Sequence, residues 1–142
     1  MIETTMSELC GFEEGQNAFN DFIGLRDVRI EDDGSYYLIL HVTESMLNPY
    51  RTLHGAVLFA LCDSAVGSYM DSRQQPCVTM SSDMSFYRPA VEGDVLTARV
   101  IERKMGRQVN VLTVEVMNQR QELIAESSFH MYRVDRTKPG GK

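Results

Sequence analysis

Between Gly55 and Met70 the sequence runs GAVLFALCDSAVGSYM, and Asp63 is the only ionisable carboxylate in that apolar stretch. A carboxylate there is costly unless a partner compensates it or a reaction uses it. Asn48, His54 and Gly55 stand just upstream, in NPYRTLHG. The first turn of a helix exposes N–H groups that have no intrahelical partner, at the positive end of the helix dipole. Glycine at that turn lets another molecule approach the backbone closely. A backbone donor for a carbonyl oxygen, plus a carboxylate to attack or to activate water, are the parts needed to open a carbonyl.

One helix cannot readily bring both parts to one carbonyl. Gly55 and Asp63 are eight residues apart, which is about 12 Å along a helix axis. Two antiparallel helices from two copies of the chain could set one Gly55 beside the other Asp63. Cys62, next to Asp63, is a second possible nucleophile. No histidine follows it at helical spacing on that helix, so it reads as a small buried hydrophobe.

The elements that must position these groups follow from the hydrophobic pattern. The run from about 54 to 71 reads as one helix apolar on every face. It is too short and too polar at its centre for a membrane span. Residues 15–23 read as a short amphipathic helix with Phe19, Phe22 and Ile23 on one side. Residues 25–33 and 35–43 read as two strands around the turn Asp32-Asp33-Gly34. Four more strands follow at 77–88, 94–104, 107–117 and 122–134. The apolar pattern in 107–117 changes phase between Val111 and Leu112, which predicts a bulge or a strand buried on both faces. One helix among runs of strands predicts an α+β fold with an antiparallel sheet curved around that helix.

The chain has 142 residues and a net charge of −6. Its length predicts one domain over 1–142, with about 14 N-terminal residues and 135–142 peripheral or frayed. An acidic chain without a basic face argues against nucleic-acid binding. The N-terminus has acids where a signal peptide has a basic and then an apolar region, which predicts a cytoplasmic protein not bound to membrane. Three cysteines without a CxxC pair read as reduced thiols. His41, His54 and His130 show no metal-ligand spacing, so neither metal nor cofactor is expected.

The chain resembles the hotdog-fold acyl-CoA thioesterases of the phenylacetic-acid-degradation (PaaI-type) group. The resemblance rests on Asn48, LHGAVLFALCDSAVG from Leu53, SSDMSFYRPA from Ser81, Gly93-Asp94 and Gly106-Arg107, over about residues 15–134. It implies an antiparallel sheet wrapped around one helix, and homodimers or homotetramers with active sites at the dimer interface. It implies hydrolysis of an acyl-CoA to free acid and coenzyme A, with Asp63 as nucleophile or general base and the Gly55 N–H on the carbonyl oxygen. Asn48 would orient the carbonyl or Asp63, His54 would fix the loop and the carbonyl, and Ser81 would hold the attacking water. Each has a plainer role: Asn48 a turn before Pro49, His54 a backbone-bonded helix start, Ser81 an ordinary strand residue. One departure is visible. The group usually has two glycines after the histidine, and here Ala56 follows Gly55, which could narrow the pocket. Arg88, Arg103, Lys104 and Arg107 are candidates for the anionic end of coenzyme A. The alternative function is an acyl-CoA-binding module without catalysis. A hydratase of the same fold is disfavoured, because His54 precedes Asp63 instead of following it.

Overall fold

The computed structural model describes residues 1–135. Seven strands form one antiparallel sheet around one long helix. The strands are β1 (Ile2–Thr5), β2 (Asp27–Ile30), β3 (Tyr36–His41), β4 (Cys77–Phe86), β5 (Val95–Met105), β6 (Val109–Met117) and β7 (Leu123–Arg133). Their order across the sheet is β1-β2-β3-β5-β6-β7-β4. The helices are α1 (Met6–Cys10), α2 (Ala18–Ile23) and α3 (Gly55–Ser72). This is the expected hotdog architecture, with α3 as the helix inside the wrap.

Alternation in the strands decides the inner face. Tyr36, Leu38 and Leu40 of β3 are buried, as are Leu96, Ala98 and Val100 of β5 and Leu112, Val114 and Val116 of β6. They meet Leu58, Leu61, Cys62, Ala65, Val66 and Met70 of α3 in one core cluster. Each large aliphatic side chain buried this way contributes roughly 1.5–3 kcal/mol. The tight β5–β6 turn requires Gly106, because a Cβ there would lie 2.6 Å from the Val109 carbonyl oxygen.

The structure refines four expectations. The first 14 residues are peripheral and ordered: β1 pairs with β2 at the sheet edge, and α1 buries Met6 and Cys10. From residue 136 on, the C-terminal segment lies outside the described residues. Helix α3 is not covered on every face, since Ala56 and Phe59 are exposed. In α2 the apolar side is split: Phe19 is 64% and Phe22 86% exposed, Ile23 packs against the core, and Asn20 is the buried residue. The phase change in 107–117 is not double burial, and β6 itself holds no extra residue: the bulge at that point lies in β5, where Arg103 is extra opposite Val111 and Leu112. Asn110 takes an inward position and is itself buried, so the inward series Asn110, Leu112, Val114, Val116 is unbroken. Its amide oxygen accepts from the Gly106 N–H at 2.9 Å, which meets the cost of burying it.

Among the described residues no helix is long and apolar enough to cross a membrane. Among the described residues β4 ends the sheet, with β7 on one side and no strand on the other. All of its residues except Cys77 and Met84 are exposed or nearly so on both faces.

Candidate active site along the central helix

Helix α3 begins where the sequence pattern placed it, and His54 caps it. Its backbone is extended (φ −61°, ψ 133°), and its Nδ1 accepts from the Ala56 N–H at 3.0 Å. That fixes the tautomer: Nδ1 is the acceptor, so the neutral ring carries its proton on Nε2. The Gly55 N–H, one residue earlier than the capped donor, makes no hydrogen bond among the described residues. It opens onto a cavity of about 370 Å³ lined by Thr52, Leu53, Leu58, Phe86 and Arg88 among others. The Phe86 ring lies 3.6 Å from where a Cβ on Gly55 would stand.

Asn48 closes the turn that leads into this helix. Its Oδ1 accepts from the Tyr50 N–H at 2.9 Å and the Thr52 N–H at 3.2 Å, and its Nδ2 donates to Thr52 Oγ1 at 2.8 Å. This is the Asx-type turn expected of an Asn before Pro. One amide hydrogen remains for another acceptor.

Asp63 sits two turns further along and lines a different cavity, of about 410 Å³, with Asn20, Ser64, Gly67, Asp71 and Cys77. The Thr79 hydroxyl of β4 donates to its Oδ1. Thus within one chain Gly55 and Asp63 open onto separate cavities, as their spacing along the helix requires. Cys62 is fully buried, and burial pushes its thiol up to about 12. A thiol so protonated and enclosed is no nucleophile at neutral pH.

Ser81 is not beside Asp63. Strand β4 pairs Thr79 with Met131 and Ser81 with His130, so Met80 is an extra residue in a bulge. Directly opposed residues share a face, and Met131 and Phe129 are core residues. Thr79, Ser82, Met84 and Phe86 therefore face α3, while Ser81 faces outward with His130. Strict alternation from Phe86 back along the strand puts Thr79 outside. Only the extra residue turns it inward, and no local sequence signal marks that bulge. Thr79 is therefore the site residue that the sequence pattern missed.

The four candidate cations do not form one group. Arg88 lines the Gly55 cavity, with its Nη1 donating to the Leu123 carbonyl at 3.4 Å and its Nε 3.9 Å from Glu122. Arg103, Lys104 and Arg107 are exposed at the β5–β6 hairpin. That hairpin lies at the Cys77 end of β4, because Asn110 Nδ2 reaches Cys77 Sγ at 3.5 Å. The length of β4, about 30 Å at strand rise, separates it from Arg88. Asp94, in the Gly93-Asp94 motif, is buried and structural: it accepts from the Val91 N–H at 3.0 Å and Gln119 Nε2 at 2.9 Å. Among the described residues no cluster of His, Cys, Asp and Glu could hold a metal ion.

The family model described as thioesterase superfamily matches residues 50–125, which span the Asn48 turn's exit, α3, and β4 through β7's start. The chain belongs to the thioesterase superfamily. Over 114 residues it is 32% identical to the acyl-coenzyme A thioesterase PaaI of Escherichia coli strain K12, covering 80% of this chain and 81% of that one. The solved E. coli PaaI structure superposes with a TM-score of 0.77 at 31% identity, covering 84% of this chain and 86% of that one. A Streptococcus mutans UA159 protein bound to acetyl-CoA gives a TM-score of 0.69 at 29% identity, with 75% of this chain and 85% of that one covered. A Streptococcus pneumoniae TIGR4 hypothetical thioesterase, solved with coenzyme A, gives 0.70 at 29% identity, covering 75% of this chain and 86% of that one. Two further structures of that thioesterase carry alanine in place of one aspartate and of one threonine. Those two positions are 16 residues apart, as Asp63 and Thr79 are in this superfamily member.

The Asp63–Thr79 contact has a direct test. A hydrogen bond to a carboxylate fixes where its oxygens point, at little cost to the rest of the strand. Thr79→Val keeps the β-branched shape and removes the donor. We expect kcat on an acyl-CoA to fall about 10-fold with KM nearly unchanged, and Thr79→Ser to restore most of the rate. Steady-state kinetics on the three proteins checks this.

Proposed function

We propose that this thioesterase-superfamily chain hydrolyses acyl-CoA thioesters to the free acid and coenzyme A. The observation that carries the reading is Asp63 itself. It is a carboxylate on the central helix, aimed by Thr79 and open to a cavity of ligand size. The acyl-CoA thioesterase relative and the two coenzyme-bound neighbours support the substrate class.

In the proposed mechanism the thioester carbonyl oxygen lies against the Gly55 N–H, at the positive end of the α3 dipole. In one course Asp63 takes a proton from a water that attacks the carbonyl carbon; the C–S bond breaks, the free acid forms, and the coenzyme A thiolate leaves with that proton. In the other Asp63 attacks the carbon itself and the thiolate leaves; water then opens the acyl–Asp63 anhydride to free acid and carboxylate, and the proton it gives up goes to the thiolate. Gly55 and Asp63 come from different subunits. Support comes from the edge strand: a ten-residue strand exposed on its free side invites pairing with another strand. Antiparallel pairing of two β4 strands about Ser82 and Asp83 carries the Thr79 end of one to the Phe86 end of the other. Asp63 is tied to Thr79, and Gly55 lies under Phe86. The same pairing brings the hairpin cations of one chain toward the Arg88 end of the other. A homodimer is the smallest unit that completes the site, and Arg88, Arg103, Lys104 and Arg107 are its proposed contacts to the coenzyme's anionic end. Ser81 has no place in this mechanism.

Thiol release from a panel of acyl-CoAs tests the activity. Turnover supports it. Binding seen as a rise in Tm, with no thiol released from any member, would make the chain an acyl-CoA-binding module.

Asn48 is proposed to point its remaining amide hydrogen at the carbonyl, and two variants discriminate this from a turn role. Asn48→Asp keeps the oxygen that closes the turn but adds a charge that repels the oxyanion. Asn48→Ala loses the turn acceptor and adds no charge. We expect both to lower kcat, and Asp to be the worse of the two. The opposite order makes Asn48 a turn residue only.

A further inference from the structure

Helix α2 has two unusual features. Its two phenylalanines are exposed, Phe19 at 64% and Phe22 at 86%, while the polar Asn20 between them is 9% exposed. Neither ring docks the helix: Ile23 packs against the core, and Asn20 Oδ1 accepts from the Ser64 hydroxyl at 2.8 Å. Ser64 directly follows Asp63, so this bond fastens α2 to the turn of α3 that carries the carboxylate. The second feature is that only one of the two rings borders the cavity into which Asp63 opens. Phe19 lines the 410 Å³ space into which Asp63 opens, and Phe22 does not. Glycines with positive φ, Gly15 and Gly24, flank the helix and set the direction of the chain into and out of it.

We infer that Phe19 is the specificity-determining wall for the acyl group in the Asp63 cavity, and that this cavity takes bulky apolar acyl groups in preference to acetyl. The inference rests on the thioesterase reading above. Its chemistry is simple. A ring that is largely wet in the free protein, at the border of a cavity with a reactive carboxylate, gains by covering apolar substrate surface. Phe12 and Met6 line the same space and extend the apolar wall. The energy gained is available only to the part of the substrate remote from the bond that breaks, so it separates substrates by size without being needed for the chemistry.

The test compares kcat/KM for acetyl-CoA, octanoyl-CoA and phenylacetyl-CoA in the wild type, Phe19→Ala and Phe22→Ala. Phe22→Ala removes the same ring from the same helix but outside the cavity, and so controls for a general effect on α2. We expect Phe19→Ala to lower kcat/KM about 10-fold for the two bulky substrates and less than about twofold for acetyl-CoA. Phe22→Ala should leave the ratios between substrates unchanged. An equal fall on all three substrates, no fall at all, or the same loss of selectivity from Phe22→Ala overturns the inference. In each of those cases wild-type turnover stands, and the thioesterase reading with it. Absence of wild-type turnover on all three overturns both.

Discussion

Asp63→Asn should leave a folded protein that still binds acyl-CoA and hydrolyses it at least about 10²-fold more slowly, the scale expected for loss of a group acting as base or nucleophile. The substitution is nearly isosteric. Thr79 still finds an oxygen to donate to, so the contact that orients the side chain survives. What is lost is the ability to take a proton or to attack. The proposed cation contacts to coenzyme A lie elsewhere, at Arg88 and the β5–β6 hairpin, so Kd should change little. Stopped thiol-release assays give the rate, and calorimetry with the intact thioester gives the affinity. A variant that turns over at near the wild-type rate removes Asp63 from the mechanism and leaves it a structural acceptor for Thr79.

Gly55→Pro should be as damaging to kcat for a different reason. Proline lacks the N–H that is proposed to hold the carbonyl oxygen, and loss of one such donor costs about 10² to 10³ in rate. The backbone accepts the change. Proline is favoured at the first helical position, and the residue before it must be extended. His54 already is, at φ −61° and ψ 133°. The added ring atoms approach Phe86, whose ring stands 3.6 Å from a Cβ at this position, an ordinary contact. The His54 cap uses the Ala56 N–H and is untouched. We therefore expect a Tm close to wild type, and kinetics that lose kcat far more than KM. A proline variant with full activity would show that the Gly55 N–H holds nothing.

The parts of the site that follow from local sequence were legible, and those that depend on register were not. The central helix is visible because its apolar run is long and begins at a histidine and a glycine. The strands are visible because Tyr36, Leu38 and Leu40 alternate cleanly with their neighbours. The distance between Gly55 and Asp63 follows from helix geometry alone, and the structure places them on separate cavities as it requires. Thr79 was invisible, because a bulge at Met80 inverts the alternation and only pairing with β7 reveals it. Ser81 was a candidate through the family resemblance alone; alternation back from Phe86 already turns it outward with His130. The edge strand was not legible either: β1 is four residues long and gains its order from pairing with β2, which no local pattern announces. Phe19, Phe22 and Ile23 share one side of the α2 pattern, and that pattern does not say which of them packs. Ile23 and the buried Asn20 make the attachment, and both rings stay exposed.

The central claim is that one active site takes Gly55 from one chain and Asp63 from another. Mixing the two inactive variants, Asp63→Asn and Gly55→Pro, tests it most directly. After unfolding and refolding an equal mixture, half the dimers carry one chain of each kind. Each such dimer pairs the intact Gly55 of one chain with the intact Asp63 of the other at one of its two sites. The account predicts recovery to about a quarter of wild-type activity, from two proteins that are each nearly inactive alone. Sites built within a single chain would recover nothing, since every chain in the mixture lacks one of the two groups. Activity in the mixture no higher than the mean of the separate variants would contradict the account.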